Sequence, residues 1–379
     1  MIVQAALTLL AFLGLSVFVV DYGVLWVGRA QAQNAADAGA VAGAVARAYD
    51  DLEDPPSASA GIVHDSVTEV VLRNPVWFNA AFTRFGLSYA CPPGADRCVR
   101  VDVYRDGTSG SVTLPTFFGP VLGIQSQRVR ATATAQVAVG NGTTCLKPWA
   151  IPDTWLEQSS PLNGNFERYA DGTGAIVMNP DVYDPPTMMG AGSGFTFGAD
   201  LGLPLTLSFA DPEGNEPISS GFLLPLVLPG ATYEENIAGC NGGLVAFGRQ
   251  LETGTSAMEV PTTDGFADLI ASDPGASWNP ATNNVEGSCA PGCALISPRL
   301  VAVAVFDVAE YQLRRATGAP CDGGFLRCVN AVNIVGLFIE GVAGGVITCR
   351  IARYPGLVYP GNQTLSTASS FLPAITLVR

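Results

Sequence analysis

Residues 1–20, MIVQAALTLLAFLGLSVFVV, carry no charge, and only Gln4, Thr8 and Ser16 among them are polar. As a helix rising 1.5 Å per residue, this run spans roughly 30 Å, the hydrocarbon thickness of a bilayer. Its surface has to be covered by lipid or by other apolar helices, and that requirement constrains everything downstream. Asp21 ends the run, and Tyr22 and Trp26 follow at positions suited to an interfacial aromatic belt. Ala30-Gln31-Ala32 has the look of a cleavage site for a secretory signal. Such a signal needs a basic leader segment and a shorter apolar stretch, and this chain shows neither, so a retained helix is the preferred reading.

The segment after the apolar run, QAQNAADAGAVAGAVARAY (31–49), is made of small residues and good helix formers, and no proline occurs before Pro55. One nearly continuous helix is therefore expected from about residue 2 to about residue 48. Ala32, Ala36, Ala40, Ala44 and Ala48 recur every four residues, and Gly39 and Gly43 form a GxxxG step. A ridge with so little side-chain bulk lets another element approach the helix backbone closely. That element can be the protein's own globular domain, or a copy of the same helix in another subunit. The second reading makes Asp21, Ala32, Ala36, Gly39, Ala40, Gly43 and Ala44 the candidate self-association residues. Asp21 would then need a partner: Arg29 or Arg47 of a second subunit, or backbone and amide donors.

The stretch VDYGVLWVGRAQAQNAADAGAVAGA (20–44) resembles the N-terminal signature of TadG-like proteins of the Tad/Flp pilus-assembly system. Further similar stretches are LPTFFGPVLGIQSQRVRATATAQV (114–137), CLKPWAIPDTW (145–155), NIAGC (236–240), SPRLVAVAVFD (297–307) and NIVGLFIEGV (333–342). The resemblance implies a non-enzymatic protein of the bacterial cell envelope connected with adhesive surface pili. It would be inner-membrane anchored before assembly, with most of the chain periplasmic or extracellular. Its partners would be copies of itself in a homo-oligomer or helical filament, other pilus-assembly components, and the membrane through residues 1–28. Two features depart from the family pattern. The Asp-x-Ser-x-Ser metal motif of some relatives is absent, and the first basic residue, Arg29, lies beyond the apolar run rather than before it. A removed basic leader, as in processed pilins, and a late start both account for the second departure, and position 5 is Ala rather than the acidic residue of many mature pilins.

Composition suits export. The net charge of −14 leaves no basic surface for nucleic acid or anionic lipid, and charged residues make up only 14% of a chain rich in Gly and Pro. Nine cysteines fit an oxidising compartment. Cys91 with Cys98 and Cys321 with Cys328 close short glycine-containing loops. Cys289 with Cys293 is a tighter candidate, and Cys145 with Cys240 a longer one that leaves Cys349 odd. Spacing alone does not determine the connectivity. Zinc is disfavoured, because the spacings are not CxxC and His64 is the sole histidine.

The expected fold is α+β in three parts. Residues 1–50 form the apolar and Ala-rich helix, 51–140 a small pilin-like α+β module, and 141–379 a loop-rich antiparallel β domain. Residues 62–74 have helical spacing of Ile62, Val63, Val67, Val70 and Val71, while 99–104 and 127–139 alternate as strands. In the last part, apolar runs at 203–209, 222–228, 300–308, 332–339 and 346–351 read as strands between turn-rich loops, and loop residues Asp171, Asp181, Asp184, Asp200 and Asp211 read as solvated rather than calcium-binding. No nucleotide loop, GxSxG elbow or HExxH motif is present, and neither a catalytic residue, a cofactor nor a metal is expected. Two functions remain: a pilin-like subunit that self-assembles through its N-terminal helix, or a membrane-anchored assembly or adhesion protein that presents the β domain.

Overall fold

The N-terminal segment is helical without a break, as α1 (Ile2–Ser16), a π-helical turn over Val17–Asp21, and α2 (Tyr22–Tyr49). The computed structural model describes residues 1–50, 55–158, 162–229, 232–240, 243–288 and 296–378. These divide into two units, one of residues 1–138 with 375–379 and one of residues 139–374. The C-terminal end thus returns to the N-terminal unit, which the expected three-part division did not include.

In the first unit α2 packs on α3 (Ile62–Arg73) and on a sheet formed by β1 (Arg84–Ser88), β2 (Cys98–Arg105), β5 (Val129–Val139) and the final strand, Pro373–Val378, in that order. The pair β3 (Leu114–Pro115) and β4 (Ser126–Gln127) stands between β2 and β5 in the chain. The antiparallel register sets Val99, Val101 and Val103 opposite Ala135, Ala133 and Ala131, so one sheet face is a lawn of small and β-branched side chains. Val63, Val67 and Val71 of α3 line up at a spacing of four residues and are fully buried with them. Each such valine contributes roughly 1.5 kcal/mol or more by leaving water.

The small-residue ridge of α2 fits these valines. A Cβ on Gly43 would lie 2.7 Å from methyl groups of both Val67 and Val99, and one on Gly39 would lie 2.9 Å from Val71. Ala32, Ala36, Gly39, Ala40, Gly43 and Ala44 are all buried inside their own unit. The ridge read above as a candidate self-association surface therefore faces its own chain. Its lack of bulk serves contact with α3 and β2 of the same chain.

The second unit is built on β7 (Leu146–Pro152), β8 (Pro204–Phe209), β9 (Phe222–Pro225), β11 (Gln250–Glu252), β14 (Leu300–Phe306), β15 (Cys328–Ala343) and β16 (Val346–Ala352). The pairs β6 (Gly142–Thr143) with β10 (Val245–Ala246), and β12 (Ser277–Asn279) with β13 (Asn284–Glu286), are separate. Among the described residues, α4 (Phe197–Asp200), α5 (Tyr233–Ala238), α6 (Glu259–Ser272) and α7 (Val308–Thr317) complete the unit. Because β16 pairs with both β8 and β15, the strands β15, β14, β7, β9, β8 and β16 close into a ring without free edges. All six send residues into one core cluster, among them Trp149, Leu207, Leu223, Val303, Leu337 and Ile351, and Phe266 of α6 stacks on Trp149 at 4.1 Å. The outer face of β14, with Ala304 and Phe306, packs against Val308 and Tyr311 of α7. Two pairings, β7 with β14 and β8 with β9, are parallel, unlike the antiparallel domain expected. The long chain between β7 and β14 permits a parallel return, and strand spacing carries no record of direction.

Gly43→Leu should destabilise the first unit by about 3 kcal/mol, because neither Val67 nor Val99 has room to retreat. Gly23→Ala, where nothing lies within 4 Å of the added carbon, should change stability little. Thermal unfolding of the two variants of the full chain in detergent checks this; equal melting temperatures would contradict the packing described.

Candidate functional site

Where the apolar half of the helix ends, the chain gathers several main-chain amides around one carboxylate. Asp21 closes the π-turn, an insertion that adds one residue to a helical turn and recurs at functional positions. Its side chain is only 2% exposed. Three successive amides of one loop converge on its carboxylate: Phe117 N–H donates to Oδ1 at 2.8 Å, Phe118 N–H to Oδ2 at 3.1 Å, and Gly119 N–H to Oδ2. The Gln127 side-chain amide donates to the Asp21 carbonyl at 3.0 Å. Successive amides aimed at one point form an anion-binding nest, and here the anion belongs to the protein itself.

The loop is shaped for this. A Cβ on Gly119 would meet the Ile124 carbonyl at 2.6 Å and Asp21 Oδ2 at 3.1 Å, so only glycine brings the backbone close enough. Thr116 Oγ1 donates to the Ile124 carbonyl at 2.9 Å, Ile124 N–H donates to the Gly119 carbonyl at 2.9 Å, and Gly123 turns at φ +83°. Around the junction Tyr22 and Trp26 are exposed, as are Phe117, Val121 and Ile124. Of the partners expected for Asp21, backbone and amide donors are the ones present, and they come from the same chain. Arg29 is exposed, and Arg47 donates to the Cys98 carbonyl at 2.7 Å with its guanidinium over the Tyr89 ring.

Residues 4–46 match the family model described as putative Flp pilus-assembly TadE/G-like. The N-terminal helix is thus similar to that of Tad-family proteins. The matched segment contains the apolar half, Asp21 and the buried ridge. No curated protein and no solved structure matches the chain. Among the described residues this helix is the one long and apolar enough to cross a membrane.

The cysteines pair as Cys91–Cys98, Cys145–Cys240 and Cys321–Cys328, while Cys289 and Cys293 lie outside the described residues. By chain entropy the bridge across 95 residues stabilises by about 4–5 kcal/mol and the seven-residue ones by about 2–3. Cys349 is a free thiol inside the barrel, and burial raises its pKa far out of the reactive range.

No group of three metal-ligating side chains occurs among the described residues. Asp181, expected in a solvated loop, is instead buried and accepts the Gln158 and Glu167 amides at 2.7 and 2.8 Å. Sequence reading missed Asp153, which follows β7 where that strand runs parallel to β14. It is 1% exposed and accepts the Thr154 and Phe195 amides and the Tyr183 hydroxyl. Burial pushes its carboxyl up to about 7, held back by those donors and helped by the charge of Asp307. Its signal in sequence is an Asp at the end of an apolar strand, which is too common to single out.

Asp21→Leu should orphan the three loop amides and cost about 3 kcal/mol, whereas Asp21→Asn, which keeps an acceptor oxygen, should cost less. Amide hydrogen exchange at residues 117–119 reads this directly; unchanged protection in the leucine variant would contradict the nest. Asp153 sets a pH dependence in the second unit. The unfolded carboxyl ionises near pH 4 and the folded one near 7, so the folded state holds a proton that the unfolded state releases. Its contribution therefore favours folding at about pH 4 and is lost as the pH rises to about 7, by an amount on the order of a few kcal/mol. Urea unfolding of Asp153→Asn against wild type should show a shallower decline over that range; parallel curves would contradict it.

Proposed function

We propose that this chain is a structural, membrane-anchored envelope component of a Tad/Flp-type pilus-assembly system. In this reading the N-terminal helix holds it in the bilayer, and the rest of the chain is presented outside to other pilus-assembly components. The carrying observation is the division of labour within one helix. The small-residue half is fully engaged by α3 and β2 of its own unit, while Leu7, Leu9, Leu10, Phe12 and Leu15 of the other half project exposed. A helix of that length with no charge before Asp21 and no cover from its own chain suits lipid. The Tad match supports the system, and the cysteine pairs support an oxidising, exported location for both units.

Fractionation of cells expressing the full chain tests the proposal. The protein should remain in the membrane pellet after alkaline carbonate extraction and after shearing of surface filaments, and protease added to spheroplasts should digest both units. Recovery in the carbonate supernatant would overturn anchoring. Release with sheared filaments would show that the exposed half-helix packs against other subunits, and would make the chain a filament subunit instead.

A further inference from the structure

The loop bound to Asp21 is itself unusually apolar for a surface segment, and its position is fixed relative to the anchor. No charged residue occurs from Gly107 to Gln127, the longest such stretch around the junction, and Arg128 and Arg130 follow at once. Phe117, Val121 and Ile124 are 59%, 60% and 47% exposed. Each keeps about half or more of its surface exposed, although the backbone beneath them is held by the nest, the Thr116–Ile124 contact and the β3–β4 pair.

The hydrogen bonds to Asp21 define the level at which these side chains stand. Asp21 follows an apolar helix about 30 Å long, which places it where the hydrocarbon ends. The amides of Phe117, Phe118 and Gly119 touch its carboxylate, so the loop stands at the same level. Tyr22 and Trp26 are exposed on the helix within about 8 Å of Asp21 along its axis, the depth at which such rings favour the headgroup boundary.

We propose that residues 116–124 form a second membrane contact, in which Phe117, Val121 and Ile124 seat in the bilayer interface beside the helix. This rests on the anchoring proposed above. The occupant is the lipid interface, argued from continuity with the apolar helix, from the loop's lack of charge and from its fixed level. The arrangement also solves the cost of an acidic group at that depth. The loop covers the Asp21 carboxylate with amides on its inner side and offers apolar side chains to lipid on its outer side. A helix alone leaves the first unit free to tilt and turn about its axis, whereas two contacts hold it at one height and one orientation.

Depth-dependent fluorescence quenching tests this on the full chain. An environment-sensitive fluorescent amino acid replaces Val121, or Ile124 as a second site, and the protein is reconstituted in phosphatidylethanolamine–phosphatidylglycerol vesicles. A lipid nitroxide near the headgroups should quench either probe about twofold more than a nitroxide near the tail ends, and aqueous iodide should quench weakly. Full quenching by iodide with none by either nitroxide, at both sites, would overturn the inference. The same amino acid at Leu10 separates the two proposals. Quenching of that probe by the deep nitroxide with none at 121 and 124 removes the loop contact alone, and absence of quenching at Leu10 removes the anchor and the loop contact together.

Discussion

The close approach of α2 to the valines of α3 and β2 is the contact on which the first unit depends. Two glycines and a row of alanines bring the helix backbone within methyl-group distance of Val67, Val71, Val99 and Val101. Stiff β-branched side chains give this interface definition, since each has few rotamers to lose on burial. The sheet registers with the helix because β5 offers alanines opposite the β2 valines. With larger residues on either side the helix would stand off, and the remaining sheet would lack a cover.

The same contact decides how the N-terminal helix can be used. A GxxxG ridge in isolation reads equally well as a face for a second helix or for the chain's own domain, because both partners ask only for lack of bulk. What distinguishes them is the set of valines at residues 63–71 and 99–103, which match the ridge in length and texture. Once these are in place, the surface left for partners or lipid is the apolar half before Asp21 and the collar of exposed aromatic and aliphatic groups around it.

Much of the architecture was legible where periodicity was strong. The uninterrupted helix, α3 with Val63, Val67 and Val71, the alternation of β5, and the apolar runs that became β8, β9, β14, β15 and β16 all follow from spacing of the kind that elements of one period impose. Three things were not legible. Strand direction in the second unit depends on the route of long connections, so β7 beside β14 carries no local signature. α6 contains Pro261 and Gly265 and lacks a clean apolar stripe, yet Phe266 and Leu269 enter the barrel core. At the candidate site, Asp21 stood out as a charge at the end of an apolar run, but its partners are main-chain amides nearly a hundred residues away. Amides exist at almost every residue, so no side-chain pattern could announce them.

Asp21 couples the two environments of one rigid rod. Under the proposed anchoring, lipid favours keeping residues 1–20 at bilayer depth, and the ridge favours keeping residues 28–44 against the valines. Neither preference alone fixes the axial position sharply, since an apolar helix tolerates some sliding in hydrocarbon and a ridge repeating every four residues tolerates a one-turn shift. The nest removes both freedoms. A shift of one turn moves the carboxylate about 5 Å from the amides of residues 117–119, and the acceptor shared by all three is lost. A single acidic residue at the boundary thus sets the register of the helix against its own domain, and under the proposed anchoring also the height at which the domain meets the membrane surface.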